Sequence, residues 1–257
     1  MSTPTILSHR AQGFGYKENS IKAIKHALRT KIKLIEIDVR LTKDNQYVLT
    51  HYPYYYDEHH NLIYIKDKTY QNQQENLEKL EEILPSLKKT NKTLLIDIKD
   101  PGSEHSLLKL IKKHKIQKQV IIVSWNLAIL KKIHKLNKNL KLSFSFFPIT
   151  NLLSKISTNL ISDFTLNNYS FSINKENATN NKTKGMTIGH FLTNIPNLQL
   201  HSINIPWYLA TFRIINQAKS RNIKVNIFNI DNKLLSKLFI NKADVYFTNK
   251  PKLFLKL

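Results

Sequence analysis

The sequence predicts an α/β fold of the (β/α)8 barrel type, with a short insertion between the second and third barrel strands. Three observations point there. Short apolar runs alternate with runs of helical period along most of the chain. Once the return strand of one hairpin is set aside, the runs supply eight strands, with helices between most of them. The length, 257 residues, suits one such barrel as a single domain over residues 1–257. A doubly wound open sheet fits less well, because no dinucleotide-type glycine fingerprint follows the first strand.

The elements follow in order. Thr5–His9 reads as a strand, and Ser20–Thr30 as a helix with Ile21, Ile24 and Leu28 on one face and Asn19 placed to cap it. Lys33–Thr42 and Gln46–His51 are strands around a turn at Asp44-Asn45, too short for anything but an antiparallel hairpin. Glu75–Lys89 is helical with a break at Pro85. Then come strand Thr93–Lys99, helix Ser103–Lys115, strand Gln119–Ser124, helix Leu127–Asn137 and strand Leu140–Phe147. Periodicity fades between Pro148 and Pro196, where only a weak helix near Asn151–Leu160 and a mobile loop at Asn174–Lys184 are expected. The pattern resumes with strand Ser202–Ile205, helix Tyr208–Asn222, strand Lys224–Ile230, helix Asn232–Phe239 and strand Asp244–Thr248.

Composition narrows the function classes. With 41% hydrophobic residues the chain can bury a large core, yet no stretch approaches the roughly 20 apolar residues of a membrane span. There is no cysteine, which excludes disulfides and thiolate metal sites. Met1–Arg10 lacks the pattern of a signal peptide, so a cytoplasmic protein is expected. The net charge of +22 comes from lysines spread over every segment. Such a charge predicts faster capture of an anionic substrate and at most weak attraction to an anionic membrane, with no specific nucleic-acid partner.

Catalytic groups of a barrel sit at the C-terminal ends of its strands. The first strand ends in His9-Arg10. The second carries Glu36 and Asp38 on one face, with Ile35, Ile37 and Val39 on the other. Two carboxylates on one face of an apolar strand repel each other and call for a cation; hard divalent ions take such oxygen ligands. A hairpin centred between Asp44 and Asn45 would set His51 opposite Asp38. Asp97 and Lys99 share a face of the third barrel strand.

These residues, in this order, resemble the glycerophosphodiester phosphodiesterase family. The likeness runs through Ser8-His9-Arg10, Glu18-Asn19-Ser20, Glu36-Ile37-Asp38-Val39, Thr42-Lys43-Asp44 and Val48-Leu49-Thr50-His51. It continues in Leu84-Pro85-Ser86-Leu87, Asp97-Ile98-Lys99, Ser124-Trp125-Asn126 and the closing Ala243–Pro251. The resemblance implies metal-dependent hydrolysis of glycerophosphodiesters to sn-glycerol-3-phosphate and an alcohol. It implies that Glu36, Asp38 and Asp97 hold one divalent cation, Ca2+ or Mg2+, with Glu18 nearby as a fourth carboxylate. Arg10 and Lys99 would bind the phosphate, and His9 and His51 would form the acid–base pair.

The sequence departs from the family pattern at several places. Ala11 stands for a Gly, Tyr52 for an Asp, Asp97 for a Glu and Asn249 for the terminal Asp. Two other readings stay open at this point. One is a sphingomyelinase D or lysophospholipase D-like activity, and the other is a weakened barrel that only binds phosphodiesters or anionic polymers.

Overall fold

The computed structural model describes residues 3–102, 104–146, 188–193, 195 and 198–255. Eight parallel strands form the barrel: β1 (Thr5–Ser8), β2 (Leu34–Leu41), β6 (Thr93–Ile98), β7 (Val120–Ser124), β8 (Lys141–Ser145), β9 (Ser202–Pro206), β10 (Lys224–Phe228) and β11 (Val245–Thr248). Each pairs with the next, and β1 closes the ring by pairing with both β11 and β2, Ser8 lying beside Thr248 and Ile35. The expected (β/α)8 barrel is therefore present. The expected weak helix near Asn151–Leu160 and loop at Asn174–Lys184 fall outside the described residues.

Alternation along the strands divides the core into two parts. Outward-facing Ile35, Ile37, Ile96, Ile122, Leu142, Ile203 and Val225 meet the helices in the larger apolar cluster. Inward-facing Leu7, Leu95, Ile121, Val123, Val245 and Phe247 fill one side of the lumen. The other side of the lumen is polar. There Asn204 accepts hydrogen bonds from Ser143 (3.0 Å) and Asn226 (2.8 Å) and donates one to Ser145 (3.0 Å). Nothing in the periodicity of these strands announced that half.

The helices are shorter than their apolar periods suggested. α1 (Ile21–Ala27) is capped by Ser20, whose hydroxyl accepts from Ala23 N; the expected cap, Asn19, serves another purpose described below. Helix α2 (Leu84–Lys88) begins at Leu84 behind a 3-10 turn at Leu80–Ile83. The segment before it is extended, with Leu49 N donating to Glu78 O and Lys79 bridged to Val48. This corrects the expected helix from Glu75: the extended segment's backbone groups are taken by the edge of strand β3 (Tyr47–Leu49). Then follow α3 (Glu104–Lys113), α4 (Leu127–Leu136), α5 (Ile188–Thr193), α6 (Phe212–Lys219) and α7 (Lys233–Leu238). Helix α5 was not expected. It is too short to carry a period, but it buries Ile188, Phe191 and Leu192, and Phe191 stacks on Phe144 at 4.5 Å.

The β2–β3 hairpin corrects a register. Val39 pairs with Leu49 and Leu41 with Tyr47, so Asp38 lies opposite Thr50, not His51. The loop between Thr42 and Gln46 has an odd number of residues, because Asn45 takes a left-handed conformation (φ 60°) and adds one. The insertion that follows carries a small antiparallel pair, β4 (Tyr54–Tyr56) with β5 (Leu62–Tyr64).

At the opposite end of the barrel, half-buried His201 precedes β9. Burial, then Lys224 and Lys141, push its imidazole down to about 4, against Asp244. An unfolded histidine titrates near 6.5, so between those values the unfolded chain binds more protons than the folded one. Stability is therefore lost as pH falls from about 6.5 towards 4, by roughly 1–2 kcal/mol from this group after solvent screening. His201→Gln should flatten that part of the stability–pH curve, measured by urea unfolding across the window. An unchanged slope would refute the assignment.

Candidate active site

The first barrel strand ends abruptly. Arg10 and Ala11 both take positive φ (52° and 55°), and Gln12 N returns to His9 O at 2.9 Å. This tight turn aims Arg10 N into the lumen, where it donates to Glu36 Oε2 at 2.8 Å. It also sets His9 beside the same carboxylate, with Nε2 at 3.8 Å from Glu36 Oε2, and puts Nδ1 at 2.8 Å from Asn249 Oδ1.

Glu36, Asp38 and Asp97 come together at the mouth as expected. Each offers an oxygen within 4.8 Å of the others, and they are 2%, 1% and 7% exposed. Strand alternation explains it: Glu36 and Asp38 share the inward face of β2, and Asp38 lies beside Asp97 in the β2–β6 ladder. Lys99 reaches across them, its Nζ at 2.7 Å from Asp38 Oδ1 and 2.6 Å from Asp97 Oδ2. Arg10 adds Nε at 3.3 Å from Asp38 Oδ2.

The electrostatics of the three acids differ. Burial, then Asp38 and Asp97, push the Glu36 carboxyl well above the usual carboxylate range. Burial also raises Asp97, against the pull of Lys99. Asp38 is lowered despite its burial, because Lys99, His51 and Arg10 all favour its charged form. The same acids hold Lys99 above its ordinary value despite burial. Three buried acids are thus only partly balanced by two cations. Asp97 Oδ1 is buried without a hydrogen-bond partner. A set of crowded, under-compensated carboxylate oxygens fits a hard divalent cation, which takes oxygen ligands.

His51 lies beyond the end of β3. Its carbonyl accepts from Arg40 Nε (3.1 Å) and Nη2 (3.0 Å), and Arg40 Nη1 is anchored on Asp100 at 2.6 Å. Burial pushes its imidazole down to about 3, against the opposing effect of Asp38. Burial, then Arg10, also lowers His9. Both imidazoles are therefore neutral near neutral pH when no anion is bound. Glu18 stands apart from the acid trio: it accepts from Arg10 Nη1 at 3.0 Å and from the Gln12 amide, and so orients the guanidinium.

Two supports went unread in the sequence. Asn19, left-handed at φ 50° and buried, donates from Nδ2 to Asp38 Oδ2 and accepts from Asp38 N, both at 2.9 Å. Arg40 was visible in principle, since it continues the inward face of Glu36 and Asp38 along β2.

Comparison with known proteins gives a consistent picture. The sequence profile of the Glycerophosphoryl diester phosphodiesterase family matches residues 9–253. A glycerophosphodiester phosphodiesterase of Caldanaerobacter subterraneus is 28% identical over 164 residues, which cover 55% of this chain and 66% of that protein. One from Bacillus altitudinis is 27% identical over 54% of this chain and 64% of that protein. The matched stretch thus spans just under two thirds of these relatives' length. Among solved structures, a glycerophosphodiester phosphodiesterase from Thermotoga maritima superposes with a TM-score of 0.69 at 19% identity, covering 99% of this chain and 98% of that one. A phosphodiesterase from Oleispira antarctica, solved with the product sn-glycerol-3-phosphate, gives 0.68 at 17% identity, covering 97% and 94%. At such identities these two establish the shared barrel.

The geometry around Asp38 makes a direct prediction. Asn19→Ala removes one bond to the buried carboxylate of Asp38 and one from its backbone N–H, and leaves a left-handed alanine. It should lower stability by roughly 2–3 kcal/mol in denaturant unfolding. Ser20→Ala, which removes only the helix cap, should cost about 1 kcal/mol. Equal losses for the two would refute the anchoring role of Asn19.

Proposed function

Because the chain belongs to the glycerophosphoryl diester phosphodiesterase family, matched over residues 9–253, we propose that it hydrolyses glycerophosphodiesters to sn-glycerol-3-phosphate and an alcohol. We take residues 1–257 as one catalytic domain acting in the cytoplasm. Among the described residues no helix is long and apolar enough to cross a membrane. The observation that carries the reading is the convergence at one barrel mouth of Glu36, Asp38 and Asp97 with His9, Arg10 and Lys99.

Glu36, Asp38 and Asp97 would hold one divalent cation, Ca2+ or Mg2+. When bound, it would neutralise phosphate oxygens and stabilise the charge that builds up on them during displacement. Lys99 and Arg10 lie among these acids, and their donors would pass to the substrate's phosphate; the planar guanidinium suits two oxygens at once. His9 and His51 serve as the acid–base pair, one taking a proton from the attacking nucleophile and the other protonating the leaving oxygen. A phosphate bound between them raises an imidazole's affinity for a proton, as Asp38 does for both rings in the anion-free site. Arg40 keeps His51 at the rim through its carbonyl. The positive charge of the whole chain draws anionic substrate to the mouth.

Release of sn-glycerol-3-phosphate from a panel of glycerophosphodiesters tests the reading. Chelation should abolish the release, and Ca2+ or Mg2+ should restore it; full activity after exhaustive chelation would sink the metal assignment. His9→Ala and His51→Ala should each lower kcat by about 10²–10⁴, and the double variant should be little worse than the poorer single one. His59→Ala and His60→Ala, at the exposed tip between β4 and β5, should change little. Near-normal turnover of His51→Ala on every substrate would overturn the proposed chemistry.

The charge generates a separate expectation. Binding to nucleic acid should be weak, without sequence preference, and should fall steeply with salt. A salt titration of binding to unrelated oligonucleotides checks it, and tight selective binding at physiological salt would contradict it.

A further inference from the structure

Asp231 lies beyond the end of β10 and is not an obvious member of the site, yet it accepts three hydrogen bonds from the end of β11. Thr248 Oγ1 (2.9 Å) and Asn249 N (2.8 Å) donate to its Oδ1, and Asn249 Nδ2 (2.9 Å) donates to its Oδ2. Its position is set by the preceding turn, where Asn229 is left-handed (φ 65°) and Ile230 N donates to Phe247 O at 3.1 Å. The other end of the Asn249 amide, Oδ1, meets His9 Nδ1 at 2.8 Å.

We propose that Asp231 is a positioning residue that acts through Asn249 to fix the tautomer of His9. A side-chain amide can be turned either way, and only its partners decide which end is which. A carboxylate only accepts, so Asp231 Oδ2 selects the amino end of Asn249. The carbonyl end is then turned to His9, and a carbonyl also only accepts. His9 Nδ1 must therefore carry the hydrogen, and the lone pair of the neutral ring is left on Nε2, 3.8 Å from Glu36 Oε2.

This inference rests on the proposed hydrolysis and assigns its direction. His9 is the base: Nε2 takes a proton from the attacking water as the new oxygen–phosphorus bond forms. The bond to the leaving alcohol breaks with its electron pair on that oxygen, which receives a proton from the protonated His51. With Asn249 turned round, Nδ1 would be an acceptor and Nε2 would carry hydrogen, leaving no lone pair at the mouth.

The experiment uses the full chain labelled with 15N-histidine, at a pH where the imidazoles are neutral. Long-range 1H–15N correlation identifies the tautomer of His9, assigned by the loss of its signals in His9→Gln. The wild type should show Nδ1–H. Asp231→Asn is the discriminating variant. It keeps an oxygen for Thr248 Oγ1 and Asn249 N, so the turn's anchors survive, but it presents an amino group where Oδ2 stood and so selects the carbonyl end of Asn249. The amino end of Asn249 then faces His9, whose tautomer should shift to Nε2–H, and kcat should fall by about 10–100-fold, the usual cost of losing an orienting partner, with KM within about twofold. Asn249→Leu should shift His9 towards Nε2–H. An Nε2–H wild type overturns the proposal without any variant, as does Asp231→Asn with the wild-type tautomer, whatever its kcat. A changed tautomer with unchanged kcat would uphold the positioning and overturn instead the role of His9 as the base.

Discussion

Three carboxylates crowded into a water-poor barrel mouth set the terms for everything around them. Leu7, Leu95, Val123 and Phe247 lie on the lumen's apolar side, so the medium screens poorly and each ionised acid raises the cost of the next. Much of the surrounding architecture answers that repulsion. Lys99 spans two of the acids, Arg10 contributes its backbone N–H to Glu36 and its guanidinium to Asp38, and Asn19 satisfies Asp38 from another direction. Compensation is uneven. Asp38 is well served, whereas Asp97 keeps one buried oxygen without a partner and Glu36 resists ionisation.

Local backbone conformation carries a second share of the work. Arg10, Ala11 and Asn19 are all left-handed, a conformation that non-glycine residues adopt at a cost. At Arg10 and Ala11 it turns the chain from the first strand so that an amide and an imidazole reach the same carboxylate. A β carbon on Gly13 would collide with the ring of Pro251 and approach Asn249 O to 2.8 Å. The first strand's turn and the last strand's turn are thus packed against each other, which holds His9 against Asn249.

What could be read in the sequence follows from how local each signal is. Alternation along one strand is local, so the shared faces of Glu36 with Asp38 and of Asp97 with Lys99 were legible, as was the rhythm of eight strands. Hairpin register depends on a single backbone choice at Asn45, and the apolar pattern says nothing about it; the pairing of Asp38 with Thr50 was missed for that reason. Asn19 looked like a helix cap because its neighbours do, but its real partner is on β2. The extended run before α2 had helical periodicity and lost to the open edge of β3. Asp231 left no trace, because the groups it binds lie in a separate strand–turn segment.

Barrel closure joins parts of the chain that are made far apart in time. His9 and Asn249 are 240 residues apart in sequence and 2.8 Å apart in space. Contacts of such long range are reached only after most of the loop entropy has been lost, and they slow folding. On the ribosome, the acids of β2 and β6 emerge early and must wait for β11 before the ring can close. During that interval the mouth is half-built and its inward polar groups are open to solvent. A nascent or truncated chain lacking the last strand would therefore carry the acidic residues without the oriented imidazole, which ties the completion of the site to the arrival of that strand.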